Sequence, residues 1–85
     1  MHARENMDAP EKQPAGPTLR VFVNDELRHV PVGLTVGELV SQVLGLQPAQ
    51  VAVERNKVIV RRADYATTRL GEGDRLEIVT FFGGG

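Results

Sequence analysis

The sequence predicts an α+β fold in which a mixed β-sheet packs on one helix. Short runs of β-type residues occur before and after a single stretch with helical periodicity, and that stretch has start and stop signals at its ends. Gly, Asn and Asp residues separate the runs, as in turns. At 85 residues the chain has the length of one domain.

The first two strands form a predicted hairpin. Residues 19–23 alternate in strand fashion, with Leu19, Val21 and Val23 on one side. The turn signal Asn24-Asp25-Glu26 follows, and Leu27–Val32 is the expected second strand.

The helix follows the hairpin. Thr35 and Glu38 have the spacing of a capping box, and Gly45 suits a left-handed helix stop. Leu34 and Leu39 have the spacing of a hydrophobic staple. The residues with the spacing of one helical face are Val36, Leu39, Val40, Val43 and Leu44.

Three more strands follow the helix. Residues 51–53 and 58–60 are short β-type runs, and Arg55-Asn56 is the turn expected between them. Gly71–Asp74 is a second predicted turn, and Arg75–Phe81 the last strand. The order ββαβββ, with one helix on a mixed sheet, indicates the β-grasp or ubiquitin-like fold.

The chain divides into three predicted parts. Residues 1–17 contain three prolines and no apolar periodicity, so we expect a disordered extension. Residues 18–82 form the expected domain. Residues 83–85 form a flexible glycine tail. Between the last two strands, we expect Tyr65 and Leu70 to anchor an irregular loop.

Composition excludes several classes of function. The absence of cysteine excludes a catalytic thiol and thiolate metal sites. A net charge of −1 argues against a nucleic-acid partner. No apolar run has the length of a membrane span or signal peptide, so the expected location is the cytoplasm. His2 and His29 lack companion ligands, and we expect no metal site.

The most informative segment is the end of the chain, Phe81-Phe82-Gly83-Gly84-Gly85. Terminal glycines add no stability, because glycine loses the most backbone entropy on ordering, but they allow close approach to another molecule. Five extended residues reach about 16–18 Å. Such a tail can pass the Gly85 carboxylate through a narrow channel into another protein's active site.

From residue 19 onward the sequence resembles the ThiS family of thiazole-biosynthesis sulfur carriers. The match includes Asn24-Asp25 and the final glycines, although three glycines stand where many members have two, and the N-terminal extension lies outside the pattern. It is most specific from Ala52 onward, in the segments Ala52–Asn56, Ile59-Val60, Arg62, Tyr65-Ala66, Thr68, Leu70, Gly73–Arg75 and Glu77–Val79.

The resemblance implies a carrier that is not an enzyme. It implies that the first and last strands lie side by side in the sheet. An E1-like adenylating enzyme of the ThiF/MoeB type would use ATP to form an acyl-adenylate on Gly85. A persulfide sulfur donor would convert it to a thiocarboxylate, and a ThiG-type thiazole synthase would take the sulfur. The chain itself would bind no cofactor, since it has no phosphate-binding loop of its own.

Three alternatives use the same residues. The first is a carrier for another sulfur pathway, namely molybdopterin, tRNA thiolation or cysteine synthesis. The second is a protein modifier joined to lysines through Gly85. The third is a binding module with an inert terminus.

Strand parity also predicts a docking surface. In the last strand, alternation places Leu76 and Ile78 toward the helix, as it places Val21 and Val23 in the first. The residues Phe22, Val79 and Phe81 then lie on the opposite side of the sheet. A contiguous exposed apolar patch there would dock partners, unless the tail or a second copy covers it. Phe82 is either the last core residue or a partner contact where the tail leaves the domain, and we favour the partner contact.

Overall fold

The computed structural model describes residues 16–81. Most of the predicted extension, Phe82 at the end of the predicted domain, and the tail residues Gly83, Gly84 and Gly85 therefore lie outside the described residues. The elements are β1 (Thr18–Val23), β2 (Glu26–Pro31), α1 (an α-helical turn Val36–Glu38 continued by a π-helical turn Leu39–Val43), β3 (Val51–Arg55), β4 (Val58–Val60) and β5 (Arg75–Thr80), with 3₁₀ turns at Pro48–Gln50 and Arg62–Asp64.

The five strands form one mixed sheet in the order β2-β1-β5-β3-β4. The strands β1 and β5 pair in parallel at its centre, which confirms the expected placement of the first and last strands. The other pairs, β1 with β2, β3 with β5 and β3 with β4, are antiparallel. The β-grasp prediction is confirmed.

Both hairpins close through a pair of left-handed residues. Asn24 and Asp25 have φ values of 51° and 70°, and Asn56 and Lys57 have 52° and 72°. Two positive φ values in a row match the two-residue turn that suits the strand twist. The second turn lies one residue later than predicted, because Arg55 remains in β3, paired with Leu76 of β5.

The start of α1 is the predicted capping box. The Thr35 hydroxyl accepts from the Glu38 backbone N–H at 3.1 Å, and the Glu38 carboxylate accepts from the Thr35 N–H at 3.0 Å. Gly45 adopts the predicted left-handed conformation, with φ of 70°. These local signals set both ends of the helix.

The prediction that Val43 faces the core is wrong. Its relative exposure is 37%, whereas Val36, Leu39 and Val40 are fully buried. The second turn of α1 is π-helical, and its wider turn rotates Val43 toward the rim. In the same turn Ser41 donates to the Gly37 carbonyl at 2.9 Å, a bond that bends helices.

The core lies between α1 and one face of the sheet. Tyr65 and Leu70 anchor the irregular loop as predicted, and burial raises the pKa of the Tyr65 phenol although the nearby Arg62 charge opposes it. The buried apolar residues are Val21, Val23, Val30, Leu34, Val36, Leu39, Val40, Val51, Val53, Tyr65, Leu70, Leu76 and Ile78.

No helix within residues 16–81 combines the length and the apolar character that a membrane crossing requires.

Candidate functional site

The candidate site is the strand that carries the tail, β5, together with the sheet face that does not contact α1. We call this surface the helix-free face. Along β5, Leu76 and Ile78 are buried under α1, and the alternate residues Arg75, Glu77 and Val79 are exposed on the helix-free face.

Hydrogen bonds hold β5 up to the last described residue. The Phe81 N–H donates to the Gln50 carbonyl at 2.7 Å, beyond the Val51–Thr80 pair of the β3–β5 ladder. The glycine tail therefore starts from a fixed position at the centre of the sheet.

The Asn24 side chain supports the other edge of β5, where β1 has already ended. Its amide oxygen accepts from the Ile78 N–H at 2.8 Å, and its amide nitrogen donates to the Ile78 carbonyl at 3.1 Å. This one side chain reproduces the pair of bonds that another strand residue would make. Sequence reasoning assigned Asn24 to a turn and missed this second role, because the bond spans 54 positions.

The start of β5 is held by the buried carboxylate of Asp74. It accepts from the Arg55 Nε at 2.8 Å, the Asn56 side chain at 3.0 Å and the Gly71 N–H at 2.7 Å. Burial alone would raise the pKa of Asp74. The bonds from Asn56, Gly71 and Arg55, with the Arg55 charge, outweigh burial and hold this pKa below its ordinary value.

A second carboxylate ties the same turn to β1. Glu72 accepts from the Arg20 backbone N–H at 2.9 Å and from the Arg20 Nε at 2.7 Å. These bonds, with the backbone bond contributing most, lower the pKa of Glu72. The turn before β5 is thus fixed from both neighbouring strands.

Of the predicted docking residues, Phe22, Val79 and Phe81 are described and share the helix-free face, but they do not form one cluster. Phe22 is half-buried and pairs in register with Arg75, whose guanidinium lies 4.5 Å from the centre of the ring. Val79 lies four residues further along β5, about 13 Å away at the rise of a strand. Val79 and Phe81 are 57% and 52% exposed. The register therefore separates Phe22 from the apolar surface near the tail.

The apolar surface near the tail extends across the sheet from β5. Ala52 of β3 is exposed and pairs in register with Val79. Ile59 of the edge strand β4 is 69% exposed and lies on the same face, beside Glu54. Phe82, which we predicted to contact a partner, lies outside the described residues.

A cavity of about 590 Å³ opens beside this surface, between the two hairpin turns. Its lining residues are polar or charged, except for Phe22 and Leu76. The lining residues are Phe22, Asp25, Glu54, Asn56, Lys57, Arg75, Leu76 and Glu77.

The other residues that were considered for a site, the histidines and the arginines, are not brought together in residues 16–81. His29 is exposed on β2, and residues 16–81 contain no group of three or more His, Asp or Glu side chains placed to hold a metal ion. Arg61, Arg62 and Arg69 are exposed, and the Arg62 Nε donates to the Pro48 carbonyl at 3.2 Å.

A family model and a solved structure both show similarity between this chain and the ThiS family. The sequence model of the ThiS family matches residues 8–85, which reaches into the N-terminal segment that we placed outside the pattern. The crystal structure of the thiamine biosynthesis protein ThiS from Geobacter metallireducens is similar, with a TM-score of 0.66 and 32% sequence identity. The match covers 79% of this chain and all of that one.

Two curated relatives are much longer proteins. A thiazole synthase of Paramagnetospirillum magneticum is 42% identical over 67 residues, and one of Magnetococcus marinus is 40% identical over 67 residues. Each match covers 79% of this chain, and the chain spans a fifth of the length of each relative.

Proposed function

Because the chain belongs to the ThiS family, we propose that it is a protein sulfur carrier of thiamin biosynthesis and that its reacting group is the Gly85 carboxylate. The observation that carries the proposal is a family match that runs through the terminal glycines. The geometry of β5 supports it, since the strand that leads to those glycines is hydrogen-bonded as far as Ile78 on the β1 side and as far as Phe81 on the β3 side.

The proposed chemistry needs an activating partner. A carboxylate is a poor electrophile because its negative charge repels nucleophiles. An E1-like adenylating enzyme joins the Gly85 carboxylate to AMP from ATP, with release of pyrophosphate. The outer sulfur of a persulfide donor then displaces AMP and forms an acyl disulfide between Gly85 and the donor. A thiol cleaves this disulfide at the donor's sulfur, which leaves a thiocarboxylate on Gly85 and a new disulfide between the thiol and the donor.

The proposed acceptor enzyme is a thiazole synthase of the ThiG type. Two relatives named thiazole synthase include a segment similar to this chain, which indicates that a carrier-like segment and the remainder of those proteins are used together. The carrier leaves this step as a carboxylate again. It is therefore a co-substrate of its partners and not an enzyme.

We also propose that the partners dock on the helix-free face near the tail. Val79 and Phe81 are exposed there and lead directly into residues 82–85. Phe22 contributes less than its residue type suggests, because Arg75 covers its ring.

Intact mass measurement tests the proposed function. In cells without thiazole synthase, a fraction of the chain should gain the mass of one oxygen-to-sulfur exchange. A variant lacking Gly83–Gly85 should gain none, whereas a variant shortened by one glycine keeps a glycine carboxylate and should still be loaded. Lysine conjugates without any sulfur-loaded form would indicate a protein modifier instead.

A further inference from the structure

Two carboxylates oppose each other on the helix-free face. The β3–β5 register places Glu54 directly opposite Glu77, and both residues are exposed. Cβ atoms of such cross-strand neighbours are about 4.5–5.5 Å apart, and like charges in this position destabilise a sheet. Two exposed positions of the sheet that neutral side chains could occupy are therefore occupied by carboxylates that repel each other.

Two cations, Arg75 and Lys57, line the same cavity as this pair, but among residues 16–81 neither forms a salt bridge with Glu54 or Glu77. Arg75, the next residue on this face of β5, is stacked on Phe22, and its Nη1 lies 3.9 Å from the Asp25 carboxylate. Within residues 16–81, neither Glu54 nor Glu77 forms a salt bridge or a side-chain hydrogen bond. Both side chains line the 590 Å³ cavity, which is open to a group from outside.

We propose that a lysine or arginine side chain of thiazole synthase enters this cavity and binds between Glu54 and Glu77. This inference rests on the proposed function. Charge complementarity identifies the occupant as a cation, and the exposed Val79 and Ile59 beside the pair supply an apolar frame for the surrounding contact. In binding hot spots, a central group is typically surrounded by contacts that exclude water from it when the partner binds.

The charges argue against a second copy of this chain as the occupant. Symmetric face-to-face association of two copies would bring four carboxylates together, and the Arg75 of each copy is already stacked on its own Phe22. Thiazole synthase is favoured over the adenylating enzyme, because two relatives with that name include a segment similar to this chain.

The pair has a positioning role and no part in the reaction. From Glu77 to Gly85 the chain spans eight residue steps, or at most about 28 Å when extended. Glu77 and Val79 lie on the same face of β5, and Phe81 follows the strand in the direction of the tail. A partner that holds the pair is thus positioned over the strand that delivers Gly85.

The test compares two double variants of the full chain. The first is Glu54→Gln with Glu77→Gln. The control, Glu26→Gln with Asp64→Asn, removes the same charge from exposed side chains that form no salt bridge within residues 16–81. Affinity for the thiazole synthase encoded in the same genome is measured by calorimetry at low and high salt.

We expect the first variant to bind thiazole synthase about tenfold more weakly at low salt, with a smaller loss of affinity as salt is added. The control should stay within about twofold of the unmodified chain. The melting temperature of the unbound first variant should rise by about 1–5 °C, because the cross-strand repulsion is gone. If the pair only stabilised the fold, the first variant would melt at a lower temperature than the unmodified chain and would not lose affinity for thiazole synthase selectively.

Unchanged affinity in the folded first variant would overturn the inference, and so would a loss confined to the adenylating enzyme. The proposed function is judged separately, by the mass of the unmodified chain. If that chain is sulfur-loaded in cells and the first variant still binds normally, the cation site is wrong and the carrier function stands.

Discussion

Asp74 and the Glu54–Glu77 pair show two opposite treatments of carboxylates in one small sheet. Asp74 is buried and accepts hydrogen bonds from Arg55, Asn56 and Gly71. Glu54 and Glu77 are exposed, face each other, and have no salt bridge with any residue from 16 to 81. A carboxylate that stabilises the fold has its hydrogen-bond partners within the domain. A carboxylate that is exposed and has no ion partner there is available to another protein.

The two faces of the sheet differ in the same way. Leu39 and Leu76 are almost fully buried between α1 and the sheet, whereas Val79 is 57% exposed on the helix-free face. The first face stabilises the domain, and the second is proposed to contact other proteins. The experiments compare substitutions of buried residues with substitutions of exposed ones.

The largest effect is expected from Leu39→Ala. The side chain is fully buried, so its loss removes apolar contact and leaves a cavity, at a cost of about 3 kcal/mol in unfolding free energy. Val79→Ala should cost less than about 1 kcal/mol, since the side chain is largely exposed. Urea denaturation measures both values. Equal losses would show that the helix-free face is part of the core.

Asp74→Asn should cost about 2 kcal/mol. It weakens the bonds at a buried site and leaves the Arg55 guanidinium, which is 34% exposed, without its ion partner. The matched control Asp64→Asn changes an exposed side chain and should stay within about 0.5 kcal/mol. If the two substitutions cost the same, Asp74 does not hold the turn before β5.

A smaller effect should appear on acidification. The pKa of Asp74 is lower in the folded chain than its ordinary value of 3.8, so its ionised form stabilises the fold above that value. This stabilisation is lost as pH falls through the lower, folded-state pKa. Glu72, whose pKa is also lowered, acts in the same direction.

The measurement is unfolding free energy between about pH 6 and pH 2, for the unmodified chain and for Asp74→Asn. The difference between the two proteins should narrow as pH falls, because protonation removes the charge that distinguishes Asp from Asn. A difference that is constant over this range would mean that ionisation of Asp74 does not matter to the fold.

The sequence alone was sufficient for the elements whose signals are local. Thr35 and Glu38 lie three positions apart, so their capping box could be predicted, and so could the Gly45 stop. Strand alternation correctly placed Leu76 and Ile78 under the helix. The π-helical turn that exposes Val43 was missed, because a helical wheel assumes regular α-helix.

Contacts between distant positions were decided by the tertiary structure. The register of β3 on β5 sets Glu54 opposite Glu77, and the parallel pairing of β1 with β5 separates Phe22 from Val79. The Asn24 bonds to Ile78 likewise depend on how two distant segments meet. By itself the sequence determined the order of elements, the helix ends and the glycine-terminated family pattern, since each is encoded in neighbouring residues. Which surface charges face each other depends on strand register, and only the assembled sheet decides that.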